Sequence, residues 1–371
     1  MKKSLIVLCF VALLGSLASC DKEAGRVSFG TPVDAEKTIR DAVLNVHIRA
    51  GFASTKTTTA SEGDEAAVSL IEVLVFNANG GLDAYKSSDG TGLQVTGISS
   101  SSGPKTIVAV VNAPGGSGIG ALTDIADLRA LKSRFKADNA LDNFVMYGEQ
   151  TFTLTPSGVN DVTVGVDRLS ARIRLDKITR SFNDNAPGLQ ALGADGFEVT
   201  RVYLTNVSDE VNYGYAVSPA INAYWLTDES PLKADTPAAV AIDKDDMVYE
   251  AAVSAGDVNK LAQNASYVNT HRLYAYPNAS DTQKTKLVVE VKIDGKYYVY
   301  PIEFDALEPN YSYEIRNLTI TRLGNPCNGD DTIDVGESTD PIVAVDYDLD
   351  LVVNPWTLVL MGEDGDGNIT I

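Results

Sequence analysis

Three kinds of residue are scarce in this 371-residue chain, and each scarcity excludes something. Cysteine occurs only at Cys9, Cys20 and Cys327. Beyond the first twenty residues a single cysteine remains, so no internal disulfide can brace that part and its core must hold it. Histidine occurs twice, at His47 and His271, each inside a strand-like run. The sequence has no G-x-S-x-G elbow and no H-E-x-x-H pair, so the usual hydrolase apparatus is missing and no enzyme is expected. Basic charge is also short: 30 Lys and Arg face 50 Asp and Glu, a net charge of −20. A phosphate backbone attracts the opposite sign, which argues against nucleic acid as a partner. The length suffices for two domains with proper cores.

The one long apolar run lies at the start. A basic "MKK" precedes "SLIVLCFVALLGSL", which is too short to span a bilayer as a finished helix. "LASC", Leu17 to Cys20, follows and resembles the lipobox of bacterial lipoproteins. That resemblance implies a signal peptide over 1–19, acylation of Cys20 and a membrane anchor through the acyl chains. A plain signal peptide with a chance cysteine is the alternative. Cys9 would leave with the signal.

The rest of the chain reads mainly as β. "VLNVHI" places Leu44, Val46 and Ile48 on one strand face. "IEVLVFNANGGLDAYK" reads as strand, Gly-rich turn and strand, and "KTIVAVVN" as a buried strand. "LTDIADLRALKSRF" predicts a helix capped by Thr123, with Ile125, Leu128, Leu131 and Phe135 near one face. "DRLSARIRL", Asp167 to Leu175, reads as a crossing between two domains. Beyond it come "FEVTRVYLTNV", "KLVVEVKIDGKYYVYPIEF" and "YSYEIRNLTI"; Asp294-Gly295 is the strongest hairpin signal in the chain. The pattern predicts two tandem β-sandwich domains with a short helical insertion in the first.

Candidate ligand motifs do not survive inspection. "GSGIGA", Gly116 to Ala121, satisfies a dinucleotide pattern, but its turn is lengthened, the helix starts past it and no βαβ series follows. "GEDGDGNITI" resembles a calcium loop, but its first position is Gly362 and its last lies past Ile371. An acidic turn before a short final strand accounts for it. Neither cofactor nor metal is expected. Tyr213, Tyr215, Tyr224 and Trp225 could form a sugar-stacking platform, or the core and rim of the second domain.

The most regular stretch is "VAVDYDLDLVVNPWTLVLM", Val343 to Met361. Val345, Tyr347, Leu349, Leu351 and Val353 share one face, and Asp346, Asp348 and Asp350 the other. Pro355 interrupts, and Trp356, Leu358 and Leu360 resume the alternation. Such a ribbon either closes its own domain or donates a strand to a neighbour's groove. The first strand poses a matching question. It is followed by "GFASTKTTTASEGDEAA", a long, small, polar stretch with Lys56 near its middle.

In this order the features resemble the Bacteroidetes fimbrillins, subunits of type V pili. The matching pieces are the lipobox, "VLNVHI", the basic-centred loop, "IEVLVFNANGGLDAYK", "KTIVAVVNAP", "LTDIADLRAL", "RLSARIRLDKI", "NYSYEIRNLTITRLG" and "VNPWTLV". The resemblance implies transthyretin-like sandwiches and export as an outer membrane lipoprotein precursor. A trypsin-like or Arg/Lys-specific protease would cut the loop after Lys56, where the family usually has Arg, or after Arg49. The cut removes the first strand, and another subunit's C-terminal strand fills the groove. The divisions implied are a propeptide 20–56, sandwiches 57–168 and 169–341, and a donor segment 342–371. Partners would be other pilus subunits, the protease, and a host protein or glycan. A tip or accessory adhesin, or a glycan-binding surface lipoprotein, is the alternative function.

Overall fold

The alternation read from the sequence becomes a row of strands in the computed structural model, which describes residues 40–50, 65–115, 117–208, 210–214, 223–225, 250–251, 257–278, 284–327, 357–360 and 368–370. The first half holds β1 (Ala42–Ala50), β2 (Ile71–Asn77), β3 (Leu82–Ser88), β4 (Gln94–Ser100), β5 (Gly103–Val111), β6 (Lys132–Arg134), β7 (Met146–Leu154) and β8 (Val159–Arg168). Seven of these follow one hydrogen-bonded path, β3-β2-β5-β7-β8-β1-β4. The path turns over between β7 and β8, which pair only through Met146–Arg168 and Tyr147–Asp167. At that corner a Cβ on Gly148 would lie 1.9 Å from the Gly165 carbonyl oxygen, so the two strands approach as closely as glycine permits. The folded path encloses a core in which Leu44, Val46 and Ile48 meet Val73, Ile107 and Val164. This is the first sandwich.

The second half holds β9 (Ala171–Arg180), β10 (Phe197–Ser208), β11 (Glu210–Asn212), β12 (Ala223–Trp225), β13 (Glu250–Ala251), β14 (Ser266–Ala275), β15 (Lys286–Ile293), β16 (Lys296–Glu303), β17 (Tyr311–Ile315), β18 (Asn317–Ile320), β19 (Asn325–Cys327), β20 (Thr357–Leu360) and β21 (Asn368–Thr370). One sheet runs β12-β10-β15-β16-β19. In the other, β9 has β14 on one side and β17 and β18 on the other, with β20 and β21 outside them. Asp294 and Gly295 have φ of 49° and 81°, the left-handed pair that a tight hairpin turn requires, and they join β15 to β16 as expected.

The halves repeat one topology, which sequence pattern did not reveal. β1 lies between the parallel β8 and the antiparallel β4. Likewise β9 lies between the parallel β17 and β18 and the antiparallel β14. The order β2-β5-β7 in the facing sheet recurs as β10-β15-β16. Each half is thus organised around its own first strand.

The helical insertion is shorter than expected. The cap is Asp124, not Thr123, and its carboxylate accepts from the Ala126 N–H at 2.7 Å. Helix α1 covers only Ile125–Ala130, and a separate turn, α2, covers Phe135–Asp138. Between them the chain extends as β6 and pairs with β11 of the second half. Strand pairing with a distant segment overrides the local helical period here. Lys132 and Arg134 both reach Glu210, at 2.6 and 3.3 Å, across that ribbon. Phe135 packs edge-on to Tyr276 with centroids 4.8 Å apart. The larger core runs without a break from Leu74 and Phe76, through Leu128 and Phe135, into Val202 and Leu287.

Candidate assembly site

The site is built from β1. Its buried face carries Ala42, Leu44, Val46 and Ile48, all 6% exposed or less, while Val43, His47 and Arg49 face outward. β8 pairs with it in parallel over Val159–Val166, and β4 antiparallel over Gln94–Ser100. A strand paired on both edges and buried on one face is a central element. Its entry is fixed by polar bonds from Arg40 and Asp41. Arg40 donates to the carbonyl oxygens of Ser99 and Asp83, and the Asp41 carboxylate accepts from Ser102 N and Oγ at 2.7 and 2.9 Å. The Ser102 backbone bond is the chief reason the Asp41 carboxyl titrates below its usual range. Asp83 is itself buried against Lys105 at 3.0 Å. Burial works against that carboxylate, but bonds from Ser100, Ser101 and Lys105 outweigh it and keep its pKa low.

Arg49, the alternative cleavage site, lies within β1, opposite Gly165. Backbone pairing extends the strand past the apolar alternation. Lys56 and Cys20 lie outside the described residues.

On the far side of the loop the chain is held differently. Glu65 is 2% exposed, and its carboxylate accepts from Arg172 Nη1 at 2.9 Å and from the Tyr274 hydroxyl. Its carbonyl oxygen accepts from Arg168 Nε and Nη2 at 3.1 and 2.9 Å. Asn310 Oδ1 accepts from Arg168 Nη1 at 3.2 Å, and Asn310 Nδ2 donates to Asp167 at 2.7 Å. Burial pushes the Arg168 guanidinium down to about 10 and, with the Glu65 charge beside it, pushes the Tyr274 hydroxyl up. Further along, Asn112 donates to the Ala67 carbonyl at 2.8 Å and accepts from Ser69 N at 2.8 Å. Residues 65–69 therefore form a strap pinned by side chains. Sequence reading singled out "DRLSARIRL" but not Glu65, which looks like one more solvated acid in an acidic stretch. The available signal was two arginines, Arg168 and Arg172, flanking a run of small and apolar residues.

Of the ribbon, Leu358 and Leu360 fall in β20, where they sit opposite Ser312 and Glu314 of β17, in parallel. Val345, Tyr347, Leu349, Leu351, Val353 and Trp356 lie outside the described residues. The expected short final strand is present as β21, paired with β18. Tyr213 is 1% exposed and packs edge-on to Tyr147, so it serves as core and not as a sugar platform.

Residues 42–176 match the sequence profile of the family described as major fimbrial subunit protein (FimA). No curated protein matches the chain by sequence. Among solved structures, a candidate cell adhesion protein from Bacteroides eggerthii is similar at 20% identity, with TM-score 0.57 over 82% of this chain and 93% of that one. A fimbrilin from Porphyromonas gingivalis aligns at 15% identity and TM-score 0.56, covering 77% of this chain and 92% of its own. A candidate cell adhesion protein from Parabacteroides distasonis aligns at 15% identity and TM-score 0.54, over 82% and 99%. At such identities the likeness to these structures is one of fold. With the family match it bears out the resemblance to the Bacteroidetes fimbrillins.

Proposed function

We propose that this fimbrillin-like chain is a structural subunit of a cell-surface fimbrium that matures by losing its first strand and assembles by strand exchange. The supporting observation is the place of β1. It is paired on both edges, yet residues 51–64 and the strap separate it along the chain from the strands that follow. Cutting between residues 51 and 64 leaves β4 and β8 as the two banks of an apolar groove lined by Val95, Ile98, Val162 and Val164. The alternating ribbon from Val345 to Val353 has the strand period that such a groove accepts. Each large side chain seated there recovers roughly 1.5–3 kcal/mol. Filling of that kind is head-to-tail and non-closing, so it yields a filament. In the isolated chain β20 and β21 occupy a sheet edge, the position from which a strand leaves without opening a core.

In this reading Cys20 carries the lipid that holds the precursor at the outer membrane, and Lys56 is the processing site ahead of Arg49. A trypsin-like or Arg/Lys-specific protease makes the cut. Adhesion to a host protein or glycan is the expected use of the filament. The test is N-terminal sequencing of material assembled after trypsin treatment of the purified chain. A start at Thr57 is expected. A start at Ala50 moves the site to Arg49, and an intact N-terminus in filaments overturns the processing step.

A further inference from the structure

Both ends of this scheme meet at one side chain. Arg172 projects from β9 and is 7% exposed. Its Nη1 donates to the Glu65 carboxylate at 2.9 Å, which holds the strap just past the loop. Its Nε donates to Ser312 Oγ at 2.9 Å, and its Nη2 lies 3.6 Å from Glu314 Oε1. Ser312 and Glu314 belong to β17, and they stand opposite Leu358 and Leu360 of the C-terminal strand β20. A buried guanidinium, once desolvated, depends on its acceptors, and a change at one of them alters its hold on the others.

We propose that Arg172 makes the Glu65 strap and the seat of the C-terminal strand a single conformational unit, so that loosening the strap loosens β20. Two placements support it. Arg172 bonds both to the strap and to β17. The strap also lies in the chain between residues 51–64 and β2, so it is the segment on the C-terminal side of the proposed cut. In assembly, the event that opens the acceptor groove would also ready the donor strand, and uncut chains would keep both sites closed. The coupling belongs to the uncut monomer; only its use in assembly depends on the strand-exchange reading.

Amide hydrogen exchange on the full-length chain tests it without any polymerisation. Glu65→Gln keeps the shape and removes the charge. Exchange should rise on the order of tenfold in 65–70, in Tyr311–Ile315 and in Thr357–Leu360, while β10 and β15 stay protected. Faster exchange confined to 65–70 would overturn the coupling. Should β10 and β15 loosen as well, Tyr274→Phe removes one bond to Glu65 and leaves the ion pair. A rise in β17 and β20 above that in β10 then sustains the coupling, and its absence refutes it.

Discussion

Gly148 and Gly165 separate two demands that one residue type can meet. A Cβ at Gly148 would overlap the Gly165 carbonyl, and backbone cannot swing aside as a side-chain tip can. A Cβ at Gly165 would meet Arg49 Nη2 at 3.8 Å and the Arg49 carbonyl oxygen at 4.0 Å, both ordinary van der Waals contacts. Gly148→Ala should cost several kcal/mol or prevent folding, and Gly165→Ala should stay within about 0.5 kcal/mol, both read from urea midpoints. His271 supplies the pH dependence. It is 2% exposed, its ring lies 5.6 Å from that of Tyr267, and burial holds its pKa down from 6.5 to about 4. The folded state therefore favours neutral imidazole. That contribution is complete above about pH 6.5 and falls away as pH drops toward about 4, by roughly 3 kcal/mol in total. His271→Phe should flatten this limb of the stability–pH curve, measured by urea unfolding between pH 7 and 4. An unchanged slope would mean the imidazole is not the group responsible. At this scale the sequence was least informative. The glycine pair and the buried acid Glu65 have no local signature, and the arginines that hold Glu65 have only a faint one, because long-range contacts decide what they touch.

At the level of elements, alternation was legible and its interruptions were not. β1, β2, β5, β10 and the Asp294-Gly295 hairpin fall where period and turn chemistry placed them. The helix failed because Lys132–Arg134 found a strand partner 78 residues away, which a local period cannot register. β1 permits an element-scale test of maturation. Val46→Asp puts a carboxylate at a fully buried position and should destabilise the precursor by several kcal/mol. If β1 is discarded, assembled material from that variant should melt like wild type. Val164→Asp, on the bank of the same groove, should weaken both forms. Equal damage by Val46→Asp to precursor and assembled form would mean that β1 stays in place.

On the scale of the whole molecule, the order of features along the chain carried more than any single motif. The order of strands, helix and the Arg-rich segment pointed to the resemblance that the family match over residues 42–176 supports, while the repeated topology and the Arg172 junction needed three dimensions. The central claim is that a groove vacated by β1 takes the C-terminal ribbon of another copy. Its most direct test is to cut purified chain in the 51–64 loop with trypsin and follow oligomers by denaturant-resistant gel ladder and electron microscopy, with wild type, Leu351→Asp and Asp348→Asn side by side. The account predicts ladders and filaments for cut wild type and Asp348→Asn, none for uncut chain, and none for a folded Leu351→Asp, whose carboxylate would enter an apolar groove. Filaments of wild-type length from cut Leu351→Asp would contradict it.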